Sequence, residues 1–166
     1  MKSIMKFEYI KATTVDEAVS ILKKQPNSTC VLAGGTDLLG TMRFEILRDY
    51  PKTLVDVKTI AGLEYIKEEG GMVKIGAMTR LQDIADSPII RAKYTALARA
   101  AKEAASPHIR EMGTIAGNIC QLNRCWYFRK EENRFDCMRK GGHTCFAIVG
   151  ENRYHSIFGS VRTSSP

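Results

Sequence analysis

No stretch of the sequence approaches the ~18 to 20 consecutive apolar residues that cross a bilayer, so no membrane-spanning helix is expected. The first residues, Met1 to Glu8, carry charge at once and contain no apolar signal core. The expected location is the cytoplasm, or the periplasm if the chain is exported with a partner. Glycine (13) and proline (5) are too sparse for a low-complexity chain. Aromatic residues are only 8% of the total and are not interleaved with a basic stripe, which counts against a nucleic-acid surface. There is no internal repeat and no heptad. No Ser/His/Asp set and no carboxylate pair stands out, so hydrolytic chemistry has no candidate here. Neither GxGxxG nor a P-loop is present, which excludes Rossmann and Walker readings. The cysteines form no CxxC knuckle, so a zinc ribbon is not indicated.

What is present is unevenly spread. The 166 residues are 44% hydrophobic and 26% charged, enough for one domain with a core or for two small lobes. Residues 1–119 hold 17 Lys/Arg against 14 Asp/Glu, and residues 120–166 hold 8 against 4. The short tail thus carries over half of the +7 net charge. Cys30 is the only cysteine of the first hundred residues, whereas Cys120, Cys125, Cys137 and Cys145 fall within 26 positions.

Periodicity describes the front of the chain. Phe7–Ile10 alternates as a strand. Apolar residues at 15, 18, 19 and 22 give a helix, with Thr13 or Thr14 as N-cap and Glu17 closing a capping box. Gln25–Ser28 is a turn and Thr29–Ala33 a buried strand. A helix from Thr36 to about Leu47 and a strand at Thr53–Val57 follow. Leu63–Lys67 and Met72–Ile75 flank Glu68-Glu-Gly-Gly71 as a hairpin. Thr79–Ala85 begins like a capped helix, and Ile89 to about Ala105 is Ala-rich and helical. Alternating strands and helices with short turns indicate a mixed α/β or α+β architecture. Beyond Asn118 no sustained period appears over 48 residues, too long for an ordinary loop. A metal cluster is the simplest device to hold such a segment.

Three features carry chemistry. Leu32-Ala-Gly-Gly-Thr-Asp-Leu38 lies at a strand-to-helix junction. Its glycines permit a tight turn and close backbone approach, and a helix start beyond it suits a phosphate. Thr36 and Asp37 are placed to cap that helix or to bond a ribose or ribityl hydroxyl. Gly113-Thr-Ile-Ala-Gly-Asn118 is a second small-residue turn, and two such turns match the two phosphates of a dinucleotide. The third feature is Cys120-x4-Cys125-x11-Cys137-x7-Cys145, whose spacing leaves iron–sulfur, zinc and free thiols open. Cys30 reads as a buried apolar residue, and His108 and His143 as isolated histidines, His143 being a possible ligand. Arg129-Lys130 and Arg139-Lys140 read as solvated, or as offsetting an anionic cluster.

Together these motifs resemble the FAD-binding medium subunit of the molybdenum hydroxylases. That family includes carbon monoxide dehydrogenase, xanthine dehydrogenase, aldehyde oxidoreductases and hydroxybenzoyl-CoA reductase. Ala33-Gly-Gly-Thr-Asp37 looks like its first FAD loop, Ile75-Gly-Ala-Met-Thr79 like a strand-to-helix junction, and Thr114-Ile-Ala-Gly-Asn118 like its second FAD loop, with Ala116 where a glycine is usual. Arg124-Cys-Trp-Tyr-Phe-Arg129, Cys137, Gly141-Gly142, Cys145 and Gly150–His155 resemble the insert of members with an extra [4Fe–4S] cluster.

The resemblance implies a mixed α/β FAD-binding domain of the carbon monoxide dehydrogenase flavoprotein (PCMH) type. The first FAD lobe would span 1–60, the start of a second 61–119, and a Cys-rich iron–sulfur insert 120–166, the whole being the N-terminal part of a longer subunit. It implies FAD held by Leu32, Ala33, Gly34, Gly35, Thr36, Asp37, Leu38, Leu39, Thr114, Gly117 and Asn118. The cluster ligands would be Cys125, Cys137 and Cys145, with Cys120, His155 or a residue beyond Pro166 as the fourth. The implied function is electron transfer between [2Fe–2S] centres, FAD and the [4Fe–4S] cluster. The implied partners are a molybdenum-cofactor large subunit, a [2Fe–2S] small subunit and an external electron donor or acceptor. No residue of this chain is assigned to breaking substrate bonds. The alternative is a non-enzymatic zinc module whose basic tail binds a partner or nucleic acid.

Overall fold

The structure, a computed structural model, describes residues 3–155. The last residues of the expected insert, 156–166, lie outside the described residues. Two sheets organise the chain. The first holds β1 (Glu8–Lys11), β2 (Thr29–Leu32) and β3 (Thr53–Asp56) in the order β1-β3-β2, all parallel. Every residue of β3 is buried, as expected of the middle strand of a sheet covered on both faces. Helix α1 (Val15–Lys24) connects β1 to β2 and closes the anticipated capping box. The Thr14 hydroxyl accepts from Glu17 N at 3.1 Å, and the Glu17 carboxylate accepts from Thr13 N at 2.7 Å. Ala12, Ala18, Val55, Val57 and Ile60 form the core beneath this helix.

The second sheet is the expected hairpin, β4 (Ile66–Glu69) and β5 (Met72–Ile75). Gly70 and Gly71 turn it at φ +60° and +74°, values that only glycine adopts freely. Helices α3 (Leu81–Asp86), α4 (Pro88–Lys93) and α5 (Thr95–Glu103) bury Ile84, Ala85, Ile90, Ala98 and Ala101 against it. The single helix expected over Ile89–Ala105 is therefore two. Ser87 and Pro88 start α4, and Tyr94 at φ −132° breaks the run before α5. Thr79 does not cap α3. It is 2% exposed, and its hydroxyl donates to Tyr65 O and accepts from Tyr65 N, pinning the segment ahead of the hairpin. Two short helices, α6 (Pro107–Met112) and α7 (Ile115–Ile119), had no periodic signal.

The helix expected from Thr36 to about Leu47 is only α2 (Leu38–Arg43). Glu45 takes φ +50°, and Ile46 turns inward against Phe128 and Cys137. The carbonyls freed at that helix end accept from the tail: Glu132 N donates to Phe44 O and Asn133 N to Glu45 O.

The tail itself is short 3-10 turns at 131–133 and 138–140, then α8 (Phe146–Val149). An apolar cluster shared with the end of the α2 segment also holds it, beside the metal cluster that the sequence made the simplest expectation. Ile46, Phe128 and Cys137 are buried together, with Leu47, Leu122 and Cys125 against them. Tyr127, Phe135 and Phe146 meet at ring separations of 5.0 to 6.2 Å. These aromatics are spaced without period, so sequence pattern did not reveal them. No helix among the described residues is long and apolar enough to cross a membrane.

Candidate functional site

Three segments far apart in sequence meet at one place. The first turn, Gly34 to Asp37, joins β2 to α2. Gly35 lies at φ +72°, in the left-handed region. Gly34 is packed so closely on the second turn that a Cβ there would stand 1.9 Å from Met112 O. A Cβ on Gly113 would stand 3.6 Å from Thr36 Oγ1. The second turn is held in place by the third segment, Ile75–Thr79. Ile115 N donates to Thr79 O and Ala116 N to Ala77 O, while Leu81 N donates to Gly113 O. Arg80 and Thr114 form a bridge beside them.

The sequence-derived residues divide within this arrangement. Leu32 and Leu38 face the core that contains Met42 and Leu54. Ala33 packs under α1, and Leu39 is 38% exposed. Thr36 is exposed, and the N–H groups of Gly35 and Thr36 find no protein acceptor among the described residues. Thr114 is 4% exposed and caps α7 by accepting from Gly117 N at 3.2 Å. The N–H donors of 115 to 118 are all taken by protein oxygens. What the second turn leaves open is the exposed backbone face of Gly117 and the Asn118 carboxamide, which makes no hydrogen bond to protein among the described residues. Both following helices are short, six and five residues, so their dipoles are small.

Asp37 does not cap α2. Its carboxylate accepts from Arg129 through two bonds, Nη1 to Oδ1 at 2.7 Å and Nη2 to Oδ2 at 3.2 Å. Arg129 is 16% exposed at its side chain, so its reading as a solvated charge is corrected. Lys140 is corrected likewise: its ammonium donates to Ile46 O at 3.0 Å and Phe128 O at 2.9 Å. Burial pushes its pKa below the ordinary lysine value, against the opposing pull of Cys137 and Cys125.

A cleft of about 590 Å³ opens beside the two turns, lined by Gly34, Lys58, Ile60, Arg80, Met112 and Thr114 among others. That size suits a cofactor portion. Lys58 and Arg80 were missed in the sequence, since nothing periodic marks them. Lys58 is fixed by Asp56, which is 2% exposed and ends β3. Burial raises the Asp56 carboxyl. Bonds from the Lys58 ammonium, the Tyr9 hydroxyl and the Lys58 N–H outweigh it and hold the pKa below the usual carboxylate value.

The cysteines are partly gathered. Cys125 and Cys137 share one apolar cluster. His155 Nε2 lies 3.1 Å from Cys125 Sγ, and His155 Nδ1 is buried with no partner. Cys145 follows Thr144, which pairs with Cys137. Cys120 is exposed at the end of α7. No three His, Cys, Asp or Glu side chains among the described residues stand close enough to share a metal ion. Cys30 is half-buried in β2, where burial pushes its thiol pKa up. His143 is exposed.

Residues 5–125 match the family described as the FAD binding domain in molybdopterin dehydrogenase. The chain belongs to this family. It is 42% identical over 114 residues to the carbon monoxide dehydrogenase medium chain of Hydrogenophaga pseudoflava, covering 69% of this chain and 39% of the relative. It is 36% identical over 154 residues to the aldehyde oxidoreductase FAD-binding subunit PaoB of Escherichia coli K12, covering 92% of this chain and 47% of the relative. A solved carbon monoxide dehydrogenase from Hydrogenophaga pseudoflava, lacking the Mo-pyranopterin moiety, superposes at TM-score 0.69 with 40% identity. That match covers 73% of this chain and 42% of the solved one. The chain thus spans less than half the length of these relatives. The match to an FAD-binding family counts against the alternative of a non-enzymatic zinc-binding module. The likeness to PaoB, at 92% of the chain, also takes in the cysteine segment.

Proposed function

We propose that this chain is the FAD-binding part of the medium subunit of a molybdenum-hydroxylase oxidoreductase, in which it carries electrons and leaves substrate chemistry to a large subunit. The observation that supports this most is the contact between the Gly34 turn and the second turn at Met112–Gly113. Residues of this chain fit the flavin: free N–H groups at Gly35 and Thr36, the uncovered face of Gly117 and the Asn118 carboxamide, with Gly34 and Thr114 lining the neighbouring cleft. Gly34 and Gly35 would admit the diphosphate to the backbone, and Thr36 and Asn118 would orient hydroxyls; Lys58 and Arg80 at the cleft wall are each paired with a carboxylate, Asp56 and Asp83. The lobes would divide near residues 60 and 119. FAD supplies exchange between two-electron and one-electron chemistry when bound.

The donors of the cysteine segment are of the kind that hold an iron–sulfur cluster, although no three of them stand together among the described residues. Cys125 and Cys137 are soft ligands in one apolar cluster, with Lys140 as a positive charge near both. Cys145 would be the third ligand. His155, already against Cys125 with a buried unpartnered nitrogen, is favoured over the exposed Cys120 as the fourth. A [2Fe–2S] small subunit, a molybdenum large subunit and an external donor or acceptor would be the partners, in the cytoplasm.

Anaerobic purification of the chain tests both parts. Flavin and iron with acid-labile sulfide are expected in the same preparation. Cys125→Ser and Cys137→Ser should each lose iron while keeping flavin. A folded, colourless protein holding zinc in place of both would overturn the proposal, and full iron in both variants would overturn the ligand assignment.

A further inference from the structure

We infer that Arg129, supplied by the cysteine segment, is a positioning residue of the flavin turn: it neutralises Asp37 so that the turn accepts an anionic diphosphate. The inference rests on the proposed flavin site. A turn offered to a diphosphate has reason to avoid a carboxylate, yet Asp37 adjoins Thr36 and is half-buried. The structure resolves the conflict from a distance of 92 residues. Arg129 meets both Asp37 oxygens in the two-bond arrangement that a guanidinium makes with a carboxylate. Arg124 adds a weaker approach, 3.6 Å from Oδ1.

Arg129 is itself fixed from behind. Its Nε donates to Asn123 O at 2.8 Å and its Nη2 to Leu122 O at 2.6 Å. Its backbone N–H donates to Cys125 O at 2.9 Å. The guanidinium is therefore the hub of the 122–129 turn, and that turn contains a proposed cluster ligand. Lysine could supply the charge but not the fork, because a guanidinium satisfies two carbonyls and two carboxylate oxygens at once. The flavin turn and the cysteine segment are thus one electrostatic unit.

The test is FAD binding by the full chain, followed by quenching of flavin fluorescence, in the wild type and four variants. Arg129→Gln leaves Asp37 largely uncompensated, and repulsion of the diphosphate should raise the Kd by about tenfold, the scale of a unit charge acting near a surface. Asp37→Asn/Arg129→Gln removes the repulsion together with the pair, and the Kd should return to within about threefold of the wild type. Arg129→Lys should fall between the wild type and Arg129→Gln. Asp37→Asn alone should bind no more weakly than the double variant. A purely structural role for the ion pair would leave the double variant as weak as Arg129→Gln, which would overturn the inference. So would an unchanged Kd in Arg129→Gln. If the wild type binds no FAD at all, the proposed function falls and takes the inference with it. Thermal melting of each unliganded variant separates unfolding from lost affinity: a double variant that melts like Arg129→Gln yet regains affinity supports the charge account.

Discussion

Replacing Gly34 by alanine strikes the contact on which the site depends. A Cβ at this position would stand 1.9 Å from Met112 O, 2.8 Å from Met112 C and 3.1 Å from Gly113 Cα. All three neighbours are backbone, so no side chain can rotate away. A carbon–oxygen approach relaxes only at about 3.3 Å, so the two turns must part by more than about 1 Å. Overpacking of this kind costs about 1–3 kcal/mol, and rigid neighbours place Gly34→Ala toward the upper end. Against a typical domain stability of about 5–15 kcal/mol the variant should still fold. If about 2 kcal/mol of the strain is relieved by separating the turns, FAD affinity falls by about thirtyfold. Guanidinium unfolding and flavin titration on the same samples measure the two effects. Gly40→Ala is the control, because nothing lies within 4 Å of its added Cβ and the site is inside α2. It should gain about 0.5–1 kcal/mol and leave affinity unchanged. An unfolding free energy for Gly34→Ala within about 0.5 kcal/mol of the wild type, together with an unchanged Kd, would refute the packing argument.

Two further outcomes follow from buried polar groups. Asp56→Asn should cost about 1.5–3 kcal/mol at neutral pH by weakening the bonds from Lys58 and Tyr9. Because the folded pKa of Asp56 is lowered, its contribution is present above the ordinary carboxylate value of about 3.9 and is lost as pH falls through the folded value. Urea midpoints should therefore converge for wild type and variant in acid, and parallel curves would count against the assignment. Lys140→Met strips Ile46 O and Phe128 O of their donor and should loosen the tail by about 1–3 kcal/mol, read as faster proteolysis between 128 and 140. Cleavage at the wild-type rate would show that the ammonium is not what holds these carbonyls.

The front of the fold was legible because local rules decided it. The Thr14–Glu17 capping box, the Gly70-Gly71 hairpin turn and the short β-branched strand at Thr53–Val57 each carry a short-range signal that tertiary structure kept. The failures have a common physical cause, a distant partner. The helix after Asp37 stops early because Ile46 is drawn to Phe128 and because Glu132 and Asn133 satisfy its last carbonyls. Thr79 leaves its capping position to bond Tyr65. Tyr127, Phe135 and Phe146 form a cluster with no period to announce it. At the site, both glycine turns were visible as motifs, but their mutual contact was not. Nor was the pairing of Asp37 with Arg129, since neither residue's neighbours in sequence hint at the other.

The most direct measurement is the flavin content of the full chain after equilibrium dialysis against FAD, for the wild type beside Gly34→Ala. One FAD per folded wild-type chain, and much less on the folded variant, is the expected result. A wild-type chain that is folded yet retains no flavin, or a variant that retains as much as the wild type, would contradict the assignment of the two turns as the FAD site.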